Sequence, residues 1–136
     1  MPLSTEAGKR LTMAYHDSCY LGRYNDVYDA PRNALKRALP VMNLVEPKRT
    51  KSRGLCCGAG GGRMWMEETE GKRINVERTE ELLATGADAI AVACPFCMTM
   101  MTDGITAQGS EVPVLDVSEV IAARLPVAQP AAMAGD

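Results

Sequence analysis

The spacing C-x36-C-C-x36-C-x2-C, set by Cys19, Cys56, Cys57, Cys94 and Cys97, constrains this chain more than any other feature, because it uses every cysteine of the 136 residues. Its centre is the run Cys56-Cys57-Gly58-Ala59-Gly60-Gly61-Gly62, two adjacent thiols followed by four glycines in five positions. A merely structural loop has no need of that combination. A single tetrahedral zinc takes paired ligands roughly two to four residues apart, so neighbouring thiolates suit it badly. A cluster of several irons offers adjacent thiolates separate metal atoms or one bridging position. Glycines at Gly58, Gly60 and Gly61 would let backbone N–H groups approach its sulfides.

Five thiols so far apart in sequence can meet only if the fold returns the chain repeatedly to one place. The apolar pattern supplies such a fold. Leu11–Tyr15 reads as a strand ending just before Cys19, and Asp29-Ala30-Pro31 opens a helix carrying Leu35, Ala38 and Leu39 that Pro40 stops. Val41–Val45 reads as a second strand, delivering the chain through a loop to Cys56 and Cys57. Helices are expected over Met64–Glu70 and Lys72–Thr85, with Ile74, Leu82 and Leu83 inward and Gly86 as the stop. Ala89–Ala93, the most continuous apolar run, reads as a strand covered on both faces and ends at Cys94. A helix over Cys97–Ala107, with Met98, Met101 and Ile105 on one face, a strand over Val112–Leu115 and a helix over Ser118–Leu125 complete the series.

Alternation of this kind predicts an α/β domain, a Rossmann-like three-layer arrangement with a parallel sheet of about four strands and helices on both faces. In such sheets sites form beyond the carboxyl ends of the strands, where all five cysteines then fall. Residues 10–125 are expected to form this domain, residues 1–9 a flexible lead and residues 126–136 a disordered tail. Hydrophobic residues make up 46% of the chain, enough for one modest core. A net charge of −2 and a pI near 5.5 give no general attraction to nucleic acid or anionic lipid. No apolar run approaches the ~18 residues of a membrane span, and an odd cysteine count with a CxxC argues for a reducing compartment. A cytoplasmic location is expected.

Two other chemistries compete for the thiols. Zinc would make the chain a non-redox binding module. Cys94-Pro95-Phe96-Cys97 also resembles a glutaredoxin centre, with Val112-Pro113 in place of its later proline, which would make the chain a thiol–disulfide oxidoreductase. That reading leaves Cys19, Cys56 and Cys57 without a purpose and puts the CxxC too late in the chain. His16, the single histidine, stands three residues before Cys19 and could tune a cluster through a hydrogen bond, although satisfying a backbone or carboxylate partner is the commoner role. The basic run Lys48, Arg49, Lys51 and Arg53, with Arg63 placed nearest the cluster, could offset its negative charge and meet an acidic redox partner. Trp65 is expected to fill core beneath the glycine loop. No residue is assigned a catalytic role.

The order and spacing of the cysteines resemble the CCG, or cysteine-rich, domain of the superfamily that unites the heterodisulfide reductases with the glycolate oxidase iron–sulfur subunit, over roughly residues 10 to 125. The words CCGAGGGRMWME and ACPFC look most like membrane-linked bacterial iron–sulfur oxidoreductases that accept electrons from electron-transfer flavoprotein and pass them towards quinone. The family often has His-Asp-Pro-Cys where this chain has His16-Asp17-Ser18-Cys19. The resemblance implies a [4Fe-4S] cluster, non-cubane in heterodisulfide-reductase-type members, held by Cys19, Cys56, Cys57, Cys94 and Cys97. It also implies a second CCG domain or subunit opposite this one, with little activity from one copy alone. That second half could be a further copy, another subunit, or part of a longer polypeptide held at the inner face of the membrane through other domains.

Overall fold

The computed structural model describes residues 10–126. The expected lead and tail, residues 1–9 and 127–136, lie outside them. Four strands, β1 (Thr12–Tyr15), β2 (Asn43–Val45), β3 (Ala89–Val92) and β4 (Val114–Asp116), form one sheet in the order β2-β1-β3-β4. Every pairing is parallel, with Met13 opposite Leu44, Ala14 opposite Ile90 and Ala91 opposite Leu115. Helices α1 (Asp29–Ala38), α2 (Ile74–Leu83), α3 (Pro95–Ala107) and α4 (Val117–Ala122) cover it. This is the α/β three-layer fold that the alternating pattern predicts.

The period of two along each strand divides the core in two. Met13, Tyr15, Ala89, Ala91 and Leu115 face Leu35 and Leu39 of the α1 region and Val117 and Val120 of α4. Ala14, Ile90 and Val92 face Leu82 of α2 and Met100, Met101 and Ile105 of α3. Burying each Leu or Ile contributes roughly 1.5–3 kcal/mol, so both layers are needed to hold so short a sheet. Helices α2 and α3 approach closely at Gly104, where an added Cβ would lie 2.8 Å from the Asn75 carbonyl oxygen and 2.7 Å from Thr79 Oγ1.

The strand order fixes where a site can form. From β1 the chain moves outward through α1 to β2, then crosses back past β1 to β3 and on to β4. Loops leaving the carboxyl ends of β1 and β3 therefore part in opposite directions and open a crevice between these neighbours. Cys19 follows β1 and Cys94 follows β3.

Some local expectations fail. The expected helix over Met64–Glu70 does not form: Gly60–Trp65 is a short 3-10 segment broken by Gly61 (φ 65°) and Gly62 (φ 77°), and Met66 is extended. Two glycines in the left-handed region turn the chain too sharply for an α-helix to start there. The expected helix over Lys72–Thr85 is real but shorter, and Leu82 is buried while Ile74 and Leu83 are half-buried. Strand β2 begins at Asn43 because Val41 sits exposed in the turn after Pro40.

Candidate metal centre

Each cysteine reaches the crevice by a different local device. Past β1, the His16 N–H donates to the Ala91 carbonyl at 2.9 Å, so the strand end stays tied to β3 through His16, Asp17 and Ser18, all buried. The chain then turns at Cys19, with the Gly22 N–H on the Ser18 carbonyl at 2.9 Å. At the doublet, Gly58 takes a φ of 93°, and its N–H donates to Cys56 Sγ, 3.3 Å away. A Cβ on Gly58 would be strained by that φ and would press on Ile74 at 3.3 Å. Cys94 is the extended residue that starts α3, Pro95 follows in the first turn, and Cys97 lies within that turn.

All five cysteines line one cavity of about 460 Å³. Its remaining walls are apolar and include Tyr20, Leu21, Met64, Trp65 and Phe96. Cys57 and Cys97 are buried at its floor, while Cys19, Cys56 and Cys94 are half-buried. A ring nitrogen of His16 lies within 4.8 Å of both Cys57 Sγ and Cys97 Sγ. The Cys56 thiol is raised well above the ordinary range, first by its hydrogen bond to Cys57 and then by burial. For Cys57 the hydrogen bond from Cys56 works downward, but the bond to Cys97 and burial outweigh it and leave the thiol at about 11. Thiols so crowded cannot ionise together without positive charge between them. Soft sulfur donors around an apolar hollow therefore fit a soft metal centre, whose binding would drive the protons off.

The other predicted site residues divide. Gly60 lines the cavity and Gly58 donates to a cysteine sulfur, whereas Gly61 shapes the turn beyond. Arg63 is largely exposed, pairs with Glu68 at 3.3 Å and is not among the residues lining the cavity. Trp65 does not fill core: it is 76% exposed on the cavity rim, because the broken 3-10 turn carries it away from the sheet. Two of the four residues in the basic run are engaged in ion pairs. Arg49 meets Glu77 at 2.9 Å and Glu81 at 2.7 Å, and Lys51 meets Asp29 at 3.2 Å.

Sequence reasoning misses two buried arginines that brace the crevice. Arg32 of α1 grips Asp17 through Nη1 and Nη2, both at 2.7 Å, and Glu46 through Nε at 2.7 Å. Asp17 also accepts from the Lys51 N–H at 2.8 Å, so one carboxylate ties the Cys19 loop to the loop leading to the doublet. Burial opposes ionisation of Asp17, yet Arg32 and the Lys51 N–H prevail and hold its carboxyl below the usual range. Arg78 of α2, fully buried, donates from Nε to His16 Nδ1 at 2.9 Å. Burial, followed by the Arg78 charge, depresses His16 to about 3, so the ring is neutral. The adjacency of His16 and Asp17 to Cys19 is the one sequence signal that points to these arginines.

A parallel α/β domain that gathers soft sulfur donors at the switch point of its sheet is a metal-binding cysteine domain. The chain belongs to the family described as the Cysteine-rich domain, CCG, which it matches over residues 13–102. It is 55% identical over 113 residues to the "Probable iron-sulfur-binding oxidoreductase FadF" of Bacillus subtilis, covering 82% of this chain and 16% of that protein. It is 49% identical over 118 residues to the "EtfAB:quinone oxidoreductase" of Syntrophomonas wolfei, covering 80% of this chain and 16% of the relative. With a subunit of the dihydromethanophenazine:CoB--CoM heterodisulfide reductase of Methanosarcina barkeri it shares 39% identity over 114 residues, 84% of this chain and 28% of the other. The chain thus corresponds to less than a third of the length of any of these relatives. No solved structure gives a significant match. Among the described residues, no helix is long and apolar enough to cross a membrane.

Proposed function

We propose that this chain is the iron–sulfur electron-transfer domain of an oxidoreductase, holding a [4Fe-4S] cluster through Cys19, Cys56, Cys57, Cys94 and Cys97. One observation carries the reading: all five cysteines line a single apolar cavity. Bound there, an iron–sulfur cluster supplies one-electron oxidation and reduction. The chain's own part is to set the surroundings. The Gly58 N–H donates to Cys56 Sγ, the first turn of α3 presents Cys97, and the apolar walls keep water from the floor. His16 acts by hydrogen bonding, and Arg63 by charge from outside the cavity.

The donor in this reading is a flavoprotein of the electron-transfer type, and the acceptor is quinone or a disulfide. Support comes from the relatives named for EtfAB and quinone and for a heterodisulfide. A second CCG domain or subunit covers the open mouth, where Trp65, Tyr20 and Phe96 stand exposed. The working protein sits on the cytoplasmic side, at the membrane through other parts of the assembly; one relative, from Chromohalobacter salexigens, is named a "Probable membrane-anchored ferredoxin".

Anaerobic reconstitution of the chain with iron and sulfide tests the core of this proposal. The product should be brown with about four irons per chain, and Cys94→Ser should lower the iron content and lose thermal stability with it. A colourless protein holding a single zinc, or unchanged iron in the variant, overturns it.

A further inference from the structure

Arg78 is an unusual choice for the interior. Its side chain is fully buried, yet among the described residues its one ion pair is with Glu81, at 2.9 Å from Nη1, with Asp17 acting only from farther off. The same Nη1 donates to the Arg49 carbonyl at 2.7 Å, and Nε donates to His16 Nδ1 at 2.9 Å. Nη2 is buried and has no hydrogen-bond partner among the described residues. Two anchored nitrogens on a planar group fix the guanidinium in place, so Nε cannot turn away from the histidine.

The consequence falls on His16. A guanidinium only donates, so Nδ1 must accept, and in the neutral ring the proton must then sit on Nε2. Neither ring nitrogen keeps a lone pair for a metal. The ring's one N–H is therefore on Nε2, and the ring has a nitrogen within 4.8 Å of Cys57 and Cys97 Sγ. The positive charge behind Nδ1 polarises that N–H and makes it a stronger donor.

We propose that Arg78 is a positioning residue for the metal centre: it locks His16 in the Nε2–H form, which makes the ring a hydrogen-bond donor to the cysteine sulfur of the loaded site and bars it from serving as a ligand. The proposal deepens the iron–sulfur reading and rests on it only for the identity of the loaded centre. Hydrogen bonds to cluster sulfur favour the reduced, more negative state, so Arg78 and His16 together raise the potential of the centre.

Two measurements test it, and they fail separately. Long-range proton–nitrogen correlation spectra of the metal-free chain should show His16 near pH 7 with an unprotonated Nδ1 and a protonated Nε2. A proton on Nδ1, or a doubly protonated ring, overturns the proposal whatever metal the site takes. In iron-loaded protein, Arg78→Met and His16→Leu should each lower the midpoint potential and shift the iron–sulfur stretching bands while iron content stays at the wild-type level. His16→Gln, whose amide can accept from Arg78 and donate onward, should recover part of the potential. If Arg78→Met does not fold, the spectrum of the unmodified chain and the two His16 variants still decide the matter. Equal potentials in wild type, His16→Leu and His16→Gln overturn it. Loss of iron in the His16 variants overturns it as well, since that would make the ring a ligand. Failure of the chain to take up iron at all would refute the iron–sulfur reading and leave the histidine spectrum to judge this proposal alone.

Discussion

Arg32 and Arg78 are both buried guanidiniums at the carboxyl end of the sheet, and they are provisioned in opposite ways. Arg32 has two carboxylates, Asp17 and Glu46, a carbonyl from Tyr28, the Thr50 hydroxyl, and the face of Tyr15 at 4.9 Å. Burial works against its charge, but the hydrogen bonds to Asp17 and Glu46 raise its pKa further. Arg78 shares Glu81 with Arg49, spends Nε on a neutral histidine and leaves Nη2 unpartnered among the described residues. Burial, only partly offset by Glu81, lowers its pKa. A fully matched ion network fastens loops together. A cation left partly unmatched projects its field onto whatever lies next to it, and here that is the His16 ring, which stands beside Cys57 and Cys97.

The largest test of the contrast is Arg32→Met. It strands the Asp17 carboxylate in the interior, and breaking a buried pair from one side costs roughly 3–5 kcal/mol. Urea unfolding should register that loss, with the Cys19 loop and the loop before the doublet both freed. Arg78→Met should cost clearly less, because Glu81 keeps Arg49 as a partner at 2.7 Å. Equal losses in the two variants would erase the distinction drawn between them.

The two arginines also mark the limit of what the sequence conveys. The fold is legible because it depends on local pattern: the buried run Ala89–Val92, the proline stop at Pro40 and the placement of each cysteine group after a strand suffice for a parallel sheet. The cysteine half of the site is legible because thiols are few and their spacing is peculiar. Arg32 and Arg78 are invisible because a charged residue on an amphipathic helix reads as a solvent position. Their burial follows from partners far along the chain, His16 lying 62 residues from Arg78. Trp65 and Met64–Glu70 mislead for the opposite reason. Their composition suits a helix with three apolar residues at its start, but Gly61 and Gly62 decide the backbone before those residues can.

A second, smaller effect is set by pH. The folded His16 ring stays neutral down to about pH 3, while the unfolded ring takes up its proton near the ordinary value of 6.5. Between those values the unfolded chain binds the extra proton, so this contribution to stability is complete above pH 6.5 and drains away as the pH falls. At pH 5.5 the loss is about 1.4 kcal/mol. Denaturation of the metal-free chain at several pH values should show the slope, and His16→Gln should flatten it. Asp17 and Glu46 are held low by Arg32, so their contribution is intact at neutral pH and is lost only as the pH falls below about 4, and the two networks separate along the pH axis. A wild-type slope that survives in His16→Gln would mean that another group carries it.

The smallest effect should come from the outermost charge pair of the Arg78 network. Arg49 reaches Glu77 at 2.9 Å, but both side chains are well exposed, 38% and 46%, so water and salt already screen the attraction. Glu77→Gln should therefore cost no more than about 0.5 kcal/mol, and less in high salt. Glu81→Gln is the informative neighbour, since its carboxylate serves Arg49 and the buried Arg78 together. It removes the carboxylate that does most to offset Arg78, ahead of the more distant Asp17, and should cost more than Glu77→Gln and be less sensitive to salt, because burial rather than screening sets its size. If the two glutamate variants proved equally mild, Arg78 would have to be compensated from elsewhere, and its charge could not bear on His16 and the cysteines.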